Sequence, residues 1–424
     1  MVIKLIKEMF FSFMNFWKEK IFKISIFVQI SYLLVAIILF LLFFTEKNDF
    51  IIFYQSARIF LTDINNLYDQ TKYLWDFRYF PLSTMFFLPF TFLDFNTAFI
   101  YFSVFSFFIN ILIILIMERI LIVLNPNIHN RDKKRIIKYF SFYLMGVPNI
   151  LNYIYGQINL IITFFMLLSL LILISREKYL LQFLGSIILG ISIIIKPTSI
   201  LLIPFLISVK IARTKPKFKF ELTKTVIRFI GVIFPLSLNI ILFLIYPKLW
   251  EGFLATNITG TNPVALNFSF SLTKIIINLL WVHNIPFNQL VVLVTIALIF
   301  IIIGFIFYII RRLNQNSLIY GFLLGMLIML ISYYDSWDHH LLNITPLLII
   351  IILYLPKKEN LKNLFQRSFY FFNFFDLAFV GLWYLTYPLF PYNFIPTVFL
   401  IITFYGTCKL LVVKIQNYEI EVNQ

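Results

Sequence analysis

Cysteine, histidine, glycine and acidic residues are all scarce in this chain of 424 residues, and each shortage removes a class of function. The single cysteine, Cys408, lies in the last apolar run, which excludes a disulfide framework and a thiolate metal site. Four histidines leave little material for a histidine-ligated metal, and twelve glycines form no phosphate-cradling loop. Charged residues make up only 13% of the chain, and no hydrophilic stretch is long enough to fold as a separate soluble domain. Nor is there an internal repeat or a heptad array. Acids number 19 against 35 bases, a formal charge of +16. The bases fall in short clusters between apolar runs, as the positive-inside rule expects of cytoplasmic loops, so the excess does not indicate nucleic acid.

Hydrophobic residues are what the chain has in abundance. They make up 61% of it, with 54 phenylalanines and a mean hydropathy of +0.91, far above a soluble protein. The expectation is an all-α polytopic membrane protein, one domain over residues 1–424, with roughly 11 to 13 transmembrane helices, several short or tilted. Five lysines from Lys4 to Lys23 precede an apolar stretch from Ile26 to Phe44 with no cleavage site, predicting an uncleaved first span that enters from the cytoplasm. RDKKR (131–135), KIARTKPKFK (210–219) and PKKENLKNLFQR (356–367) are further cytoplasmic clusters. The non-cytoplasmic turns then contain YGQIN (155–159), KPTS (196–199), the loop 246–286, SYYDSWDHH (332–340) and YPLFPYN (387–393). Residues 79–124 resist this scheme: two apolar segments meet at a soft break, Leu93 to Asn96, where the charge pattern needs an odd number of crossings.

Asp49 is the most informative residue. It follows the first span directly, and an acid at the membrane interface is costly enough to suggest a catalytic base, the bland alternative being a solvated loop carboxylate. The polar interruptions 45–78 and 246–286 exceed ordinary connections and are expected to roof a site. Tyr54, Arg58, Tyr68 and Tyr79 lie in or beside the first of them, a mixture that suits sugars and phosphates but also an interfacial aromatic belt. Lys196 ends an apolar run on the non-cytoplasmic side, against the charge bias. It either snorkels to the interface or faces inward to pair with an anion. Gln157 and Asn159 bond either sugar hydroxyls or neighbouring helices. Asp335, Asp338, His339 and His340 form the densest ionisable cluster. Adjacent histidines on a regular helix point about 100° apart and cannot share one ion, so a proton shuttle or a cationic phosphate partner suits them better than a metal.

Six segments in order, NDFIIFYQSARIFLTDINNLYD, RYFPLSTMFFLPF, YGQINLIITFFMLL, LGISIIIKPTSILLIPFL, ALNFSFSL and WDHHLLNITPLLIII, resemble glycosyltransferase family 87 over about residues 45–355. That family comprises polyprenyl-phosphate-sugar-dependent membrane transferases of the GT-C fold, mannosyl- and arabinofuranosyltransferases among them. The resemblance implies Asp49 as base, with His339 and His340 also catalytic. It implies substrate contacts at Tyr54, Tyr79, Gln157, Asn159, Lys196, Asn267, Ser269 and Trp337, to which the reading of the first loop adds Arg58 and Tyr68. The chain departs from the family pattern at Leu61-Thr62-Asp63, where a glycine is common, and at Phe80, which separates Tyr79 from Pro81. The implied partners are a polyprenyl-phosphate sugar, a lipid-linked or glycan acceptor and membrane lipids, with no cofactor firmly implied. The implied reaction inverts the anomeric centre on the outer face of an inner or plasma membrane. A covalent glycosyl intermediate would ask for a second carboxylate, which Asp335 or Asp338 could supply. A lipid-linked glycan polymerase, a flippase or a secondary transporter remain alternatives, although the two related halves of a transporter are not visible.

Overall fold

Backbone amides in hydrocarbon find no water, so long apolar runs satisfy them internally as helices. The structure is a computed structural model that describes residues 2–45, 47–175, 177–211, 218–259, 269–311, 317–355, 360–375 and 395–412. In chain order the helices are α1 (Val2–Trp17), α2 (Lys20–Leu39), α3 (Phe50–Thr62), α4 (Phe95–Leu124), α5 (Ile128–Leu144), α6 (Val147–Ile154), α7 (Asn159–Ser175) and α8 (Tyr179–Ile195). There follow α9 (Leu222–Ile245), α10 (Pro247–Leu254), α11 (Leu272–Val282), α12 (Gln289–Ile306), α13 (Leu318–Ser332), α14 (Thr345–Tyr354), α15 (Asn360–Tyr370) and α16 (Ile395–Val412). Among the described residues the sole extended element is a small antiparallel hairpin, β1 (Val209–Ile211) with β2 (Phe218–Phe220), in which Lys210 faces Lys219. Five helical stretches are long and apolar enough to cross a membrane: Lys20–Phe44, Phe95–Leu124, Leu222–Ile245, Gln289–Ile309 and Ile395–Val412. Shorter apolar helices accompany them, among them Asn159–Ser175, Tyr179–Ile195 and Leu318–Ser332. The protein is an all-α, multi-pass membrane protein.

Position within the bundle follows from the distribution of apolar side chains. Every residue of α13 is buried, as expected of a helix that is hydrophobic all round and enclosed by protein. By contrast α9 and α12 leave large apolar residues such as Leu244, Val291 and Ile302 exposed, a surface suited to lipid. Close approach of the 3-10 helix Pro197–Leu206 to α13 depends on Gly325, where a Cβ would sit 2.7 Å from the Leu201 carbonyl oxygen.

The awkward stretch 79–124 contains one long helix. Asp94 caps α4 by accepting from the Thr97 amide, and α4 runs for 30 residues. Before it, Pro81–Phe86 and Leu88–Phe92 are short 3-10 helices, together roughly 24 Å long at 2 Å per residue and too short to cross alone. They pack instead under α3 through Phe50, Phe53, Phe87 and Phe90. A single long span is what the charge pattern required.

A buried polar knot joins α2, α4 and α6. Gln29 Nε2 donates to the Leu144 carbonyl, while its Oε1 accepts from Asn110 Nδ2 at 3.2 Å and Tyr153 Oη at 2.8 Å. Asn110 Nδ2 also donates to Asn149 Oδ1 at 2.7 Å, and Asn149 Nδ2 donates to the Tyr143 carbonyl at 2.7 Å. Such amide bonds between helices hold α6 in place where water is absent.

Candidate active site

Four interruptions of helix meet around one cavity of about 1020 Å³. The first lies between α2 and α3, where Asn48 and Asp49 form a turn. The second separates α6 from α7 at Gly156, whose φ of +62° favours glycine and where a Cβ would lie 2.7 Å from Phe50 Cβ. Lys196 marks the third. As the residue before Pro197 it is pushed out of helical geometry, to φ −147° and ψ 117°, and α8 stops there. The fourth follows α13, where residues 333–337 lead into a 3-10 helix, Asp338–Asn343. Each break frees a side chain to face the cavity.

Hydrogen bonds lock these breaks together. The Asp49 amide donates to the Tyr155 carbonyl at 3.0 Å, and Gln157 Nε2 donates to Asp49 Oδ2. Lys196 Nζ lies 2.9 Å from Asn159 Oδ1 and 2.9 Å from His340 Nε2. Thr163 Oγ1 donates to Asn343 Oδ1 at 2.9 Å, tying α7 to the 338–343 segment. Burial raises the Asp49 carboxyl above the usual carboxylate range, opposed by the Gln157 hydrogen bond and by the charge of Lys196. Burial likewise pulls Lys196 down to about 7, with Asp49 opposing.

Asp49, Tyr79, Gln157, Lys196, Trp337, His339 and His340 all line the cavity. Asn159 supports it from behind through Lys196. Tyr54 and Tyr68 are buried beside it. Tyr54 Oη donates to the Leu93 carbonyl at 2.8 Å, and Tyr68 Oη to the Tyr79 carbonyl at 2.6 Å, so both hold the wall rather than face the cavity. Arg58 is exposed on the outer side of α3, its guanidinium 5.9 Å from the Tyr54 ring centre. Ser269 is a staple: its hydroxyl donates to the Ser336 carbonyl at 3.1 Å and accepts from the Ser336 amide at 3.1 Å. Asn267 and the turn 387–393 lie outside the described residues.

One expected role meets a hydrogen bond that opposes it. His340 Nδ1 accepts from the Trp337 backbone N–H at 3.0 Å. An imidazolium would present a proton there, so this hydrogen bond favours a neutral His340 over a cation. His339 packs edge-on to the Tyr155 ring, and its buried Nδ1 has no hydrogen-bond partner.

Sequence reasoning counts Arg78 in the first loop's substrate surface without a role of its own, and passes over Lys274. Arg78 bridges to Asp335 at 3.3 Å and to Asp76 at 3.7 Å, clasping the loop after α3 to the loop after α13 across the cavity mouth. Lys274, in the first turn of α11, is buried against the same cavity. A lysine inside the apolar run LTKIIINLLWV was the available signal. Several buried polar atoms near Asp49 and Lys196 also lack a partner: Gln157 Oε1, Thr198 Oγ1 and His339 Nδ1, all on cavity-lining residues. Among the described residues no cluster of three His, Cys, Asp or Glu side chains converges to hold an ion. The site can therefore offer carboxylates, basic nitrogens and a set of unpaired hydrogen-bonding atoms to one ligand.

In comparison with known protein families, the model of glycosyltransferase family 87 matches residues 77–332. No curated protein and no solved structure matches the chain.

Proposed function

The chain belongs to glycosyltransferase family 87 and is a membrane glycosyltransferase, and from that premise we propose that it moves a sugar from a polyprenyl-phosphate donor to a hydroxyl of a lipid-linked or glycan acceptor. The observation that carries this reading is the placement of Asp49 and Lys196 at two helix breaks of one cavity, coupled electrostatically to each other.

Asp49 takes the proton of the acceptor hydroxyl. Its carboxylate is held by Gln157 and sits on a turn whose amide is tied to Tyr155, so it is aimed before substrate arrives. The acceptor oxygen forms its bond to the anomeric carbon as the carbon–phosphate oxygen bond breaks, and the bonding pair leaves with the phosphate. Lys196 meets the charge that develops on that phosphate, at a position fixed by Asn159 and His340. A phosphate leaving group needs no general acid. Gln157 Oε1, Thr198 Oγ1 and His339 Nδ1 supply acceptor and donor atoms of the kind that sugar hydroxyls satisfy. Direct displacement inverts the anomeric centre. The basic clusters between spans support a site on the non-cytoplasmic side of an inner or plasma membrane, with the whole chain as one domain.

The test is release of free polyprenyl phosphate from polyprenyl-phosphate-mannose by the purified, bilayer-reconstituted chain, with membrane extract as a mixed acceptor pool. Release that depends on acceptor and vanishes in Asp49→Asn supports the reading. Release of diphosphate instead would turn it toward a polymerase, and equal release by both proteins would remove Asp49 from the chemistry.

A further inference from the structure

His340 has each ring nitrogen committed, and the two commitments together fix a proton on its neighbour. A peptide N–H can only donate, so Nδ1, at 3.0 Å from the Trp337 amide nitrogen, carries no proton, and the neutral ring carries its proton on Nε2. Nε2 lies 2.9 Å from Lys196 Nζ. Two donors do not face each other at that separation, so the Nε2–H points at a lone pair on Nζ. An ammonium has no lone pair. The second contact of Lys196, Asn159 Oδ1 at 2.9 Å, takes one of the two amine protons.

We propose that His340 is a positioning residue whose tautomer, set by the Trp337 amide, holds Lys196 as a neutral amine, so that a phosphate enters the site together with one proton. This rests on the assignment of Lys196 to the phosphate of the substrate. The groups facing Lys196 come from three elements: Asp49 on the turn before α3, Asn159 at the start of α7, and His339 with His340 on the 338–343 segment. Asp49 is the carboxylate among them, and it favours the ammonium, whereas burial and the His340 N–H favour the amine. An arriving phosphate adds a second anion and tips that balance. A solvent proton then binds Nζ, and the three N–H bonds of the ammonium serve Asn159 and the phosphate. His340 Nε2–H, released from Nζ, is free to donate to a phosphate oxygen as well. In the transfer the acceptor's proton still goes to Asp49, so the proton on Lys196 is acquired on binding and is not consumed.

The amine is read directly by its nucleophilicity. The reconstituted full chain is pulsed with acetic anhydride from about pH 6 to pH 10, and acetylation of Lys196 is quantified by peptide mass spectrometry against Lys47, an exposed lysine at the cavity rim. Lys196 is expected to titrate with a midpoint of about 7, far below the ordinary lysine range of about 10.4. Dodecyl phosphate, used as the anionic probe, should raise that midpoint by about one unit or more. His340→Phe, which removes the N–H, should raise it without a probe, while His340→Gln, which keeps an N–H near the same place, should leave it low. A native midpoint in the ordinary lysine range, or no acetylation at any pH, overturns the neutral amine. A low midpoint that dodecyl phosphate does not move overturns the proton uptake, and one that His340→Phe does not move overturns the role of His340. None of these readouts involves sugar transfer, so failure of the chemistry with any donor would leave them unchanged.

Discussion

Among the described residues, the buried polar clusters around Gln29 and around Lys196 differ in what they leave unpaired. In the first, Gln29, Asn149 and Tyr153 spend their bonding capacity on one another, on Asn110 and on backbone carbonyls, and of these four residues only Asn110 Oδ1 lacks a partner. In the second, the atoms facing the cavity are left open at Gln157 Oε1, Thr198 Oγ1 and His339 Nδ1. A buried polar atom without a partner costs about 1–3 kcal/mol, so a fold keeps several together only where something returns the bonds. The first cluster joins helices; the second leaves its open atoms at a cavity, where the proposed substrate would return the bonds.

Substitutions can break that contrast, and the largest effect belongs to Asp49. Asp49→Asn should lower the turnover rate about 10²- to 10⁴-fold while leaving the thermal midpoint near that of the native chain, read by transfer assay and by thermal unfolding in detergent. The native rate should also fall on the acid side at a pH above the ordinary carboxylate range of about 4, because burial raises the Asp49 carboxyl and a protonated base is idle. Lys196→Met comes next, with an expected loss in turnover of about 10²- to 10³-fold, since it removes the charge opposite the leaving phosphate. Full activity in that variant would remove Lys196 from the site. Gly156→Ala should destabilise by about 1–3 kcal/mol and lower activity, because alanine must adopt a φ of +62° and its Cβ meets Phe50. The smallest effect is expected in the first cluster. Gln29→Leu should cost about 0.6–2 kcal/mol in stability, and the folded fraction should transfer sugar at the native rate. Were that variant folded but inactive, the distinction between the two clusters would collapse.

Much of this was legible in the chain because its causes are local. Hydropathy reveals spans without knowledge of their neighbours. Pro197 dictates the extended backbone at Lys196, and Gly156 permits the turn that presents Gln157. Arg58 shows where local reading went astray. Once residues 50–62 are taken as a helix, Phe50, Phe53, Tyr54 and Ala57 form its buried stripe and Arg58 falls outside it, but the segment looked like a loop because it is flanked by polar residues. The clasp of Arg78 on Asp335 was not legible at all. It joins positions 257 residues apart, and only the folded bundle brings them together. The same holds for His340, whose neutral state depends on a backbone amide that composition cannot reveal.

The contact of Lys196 with His340 spans 144 residues of chain. A ribosome adding about 5–20 residues per second needs about 7–30 s to cover that distance. Throughout that interval the nascent protein already holds its lysine at the end of α8, while the histidine that contacts it has not been synthesised. The centre proposed around Lys196 therefore cannot be complete before residue 340 has been added. It comes into being only when the segment after α13 folds back on α7 and on the end of α8, so a copy that stops short of that segment has spans but lacks this centre.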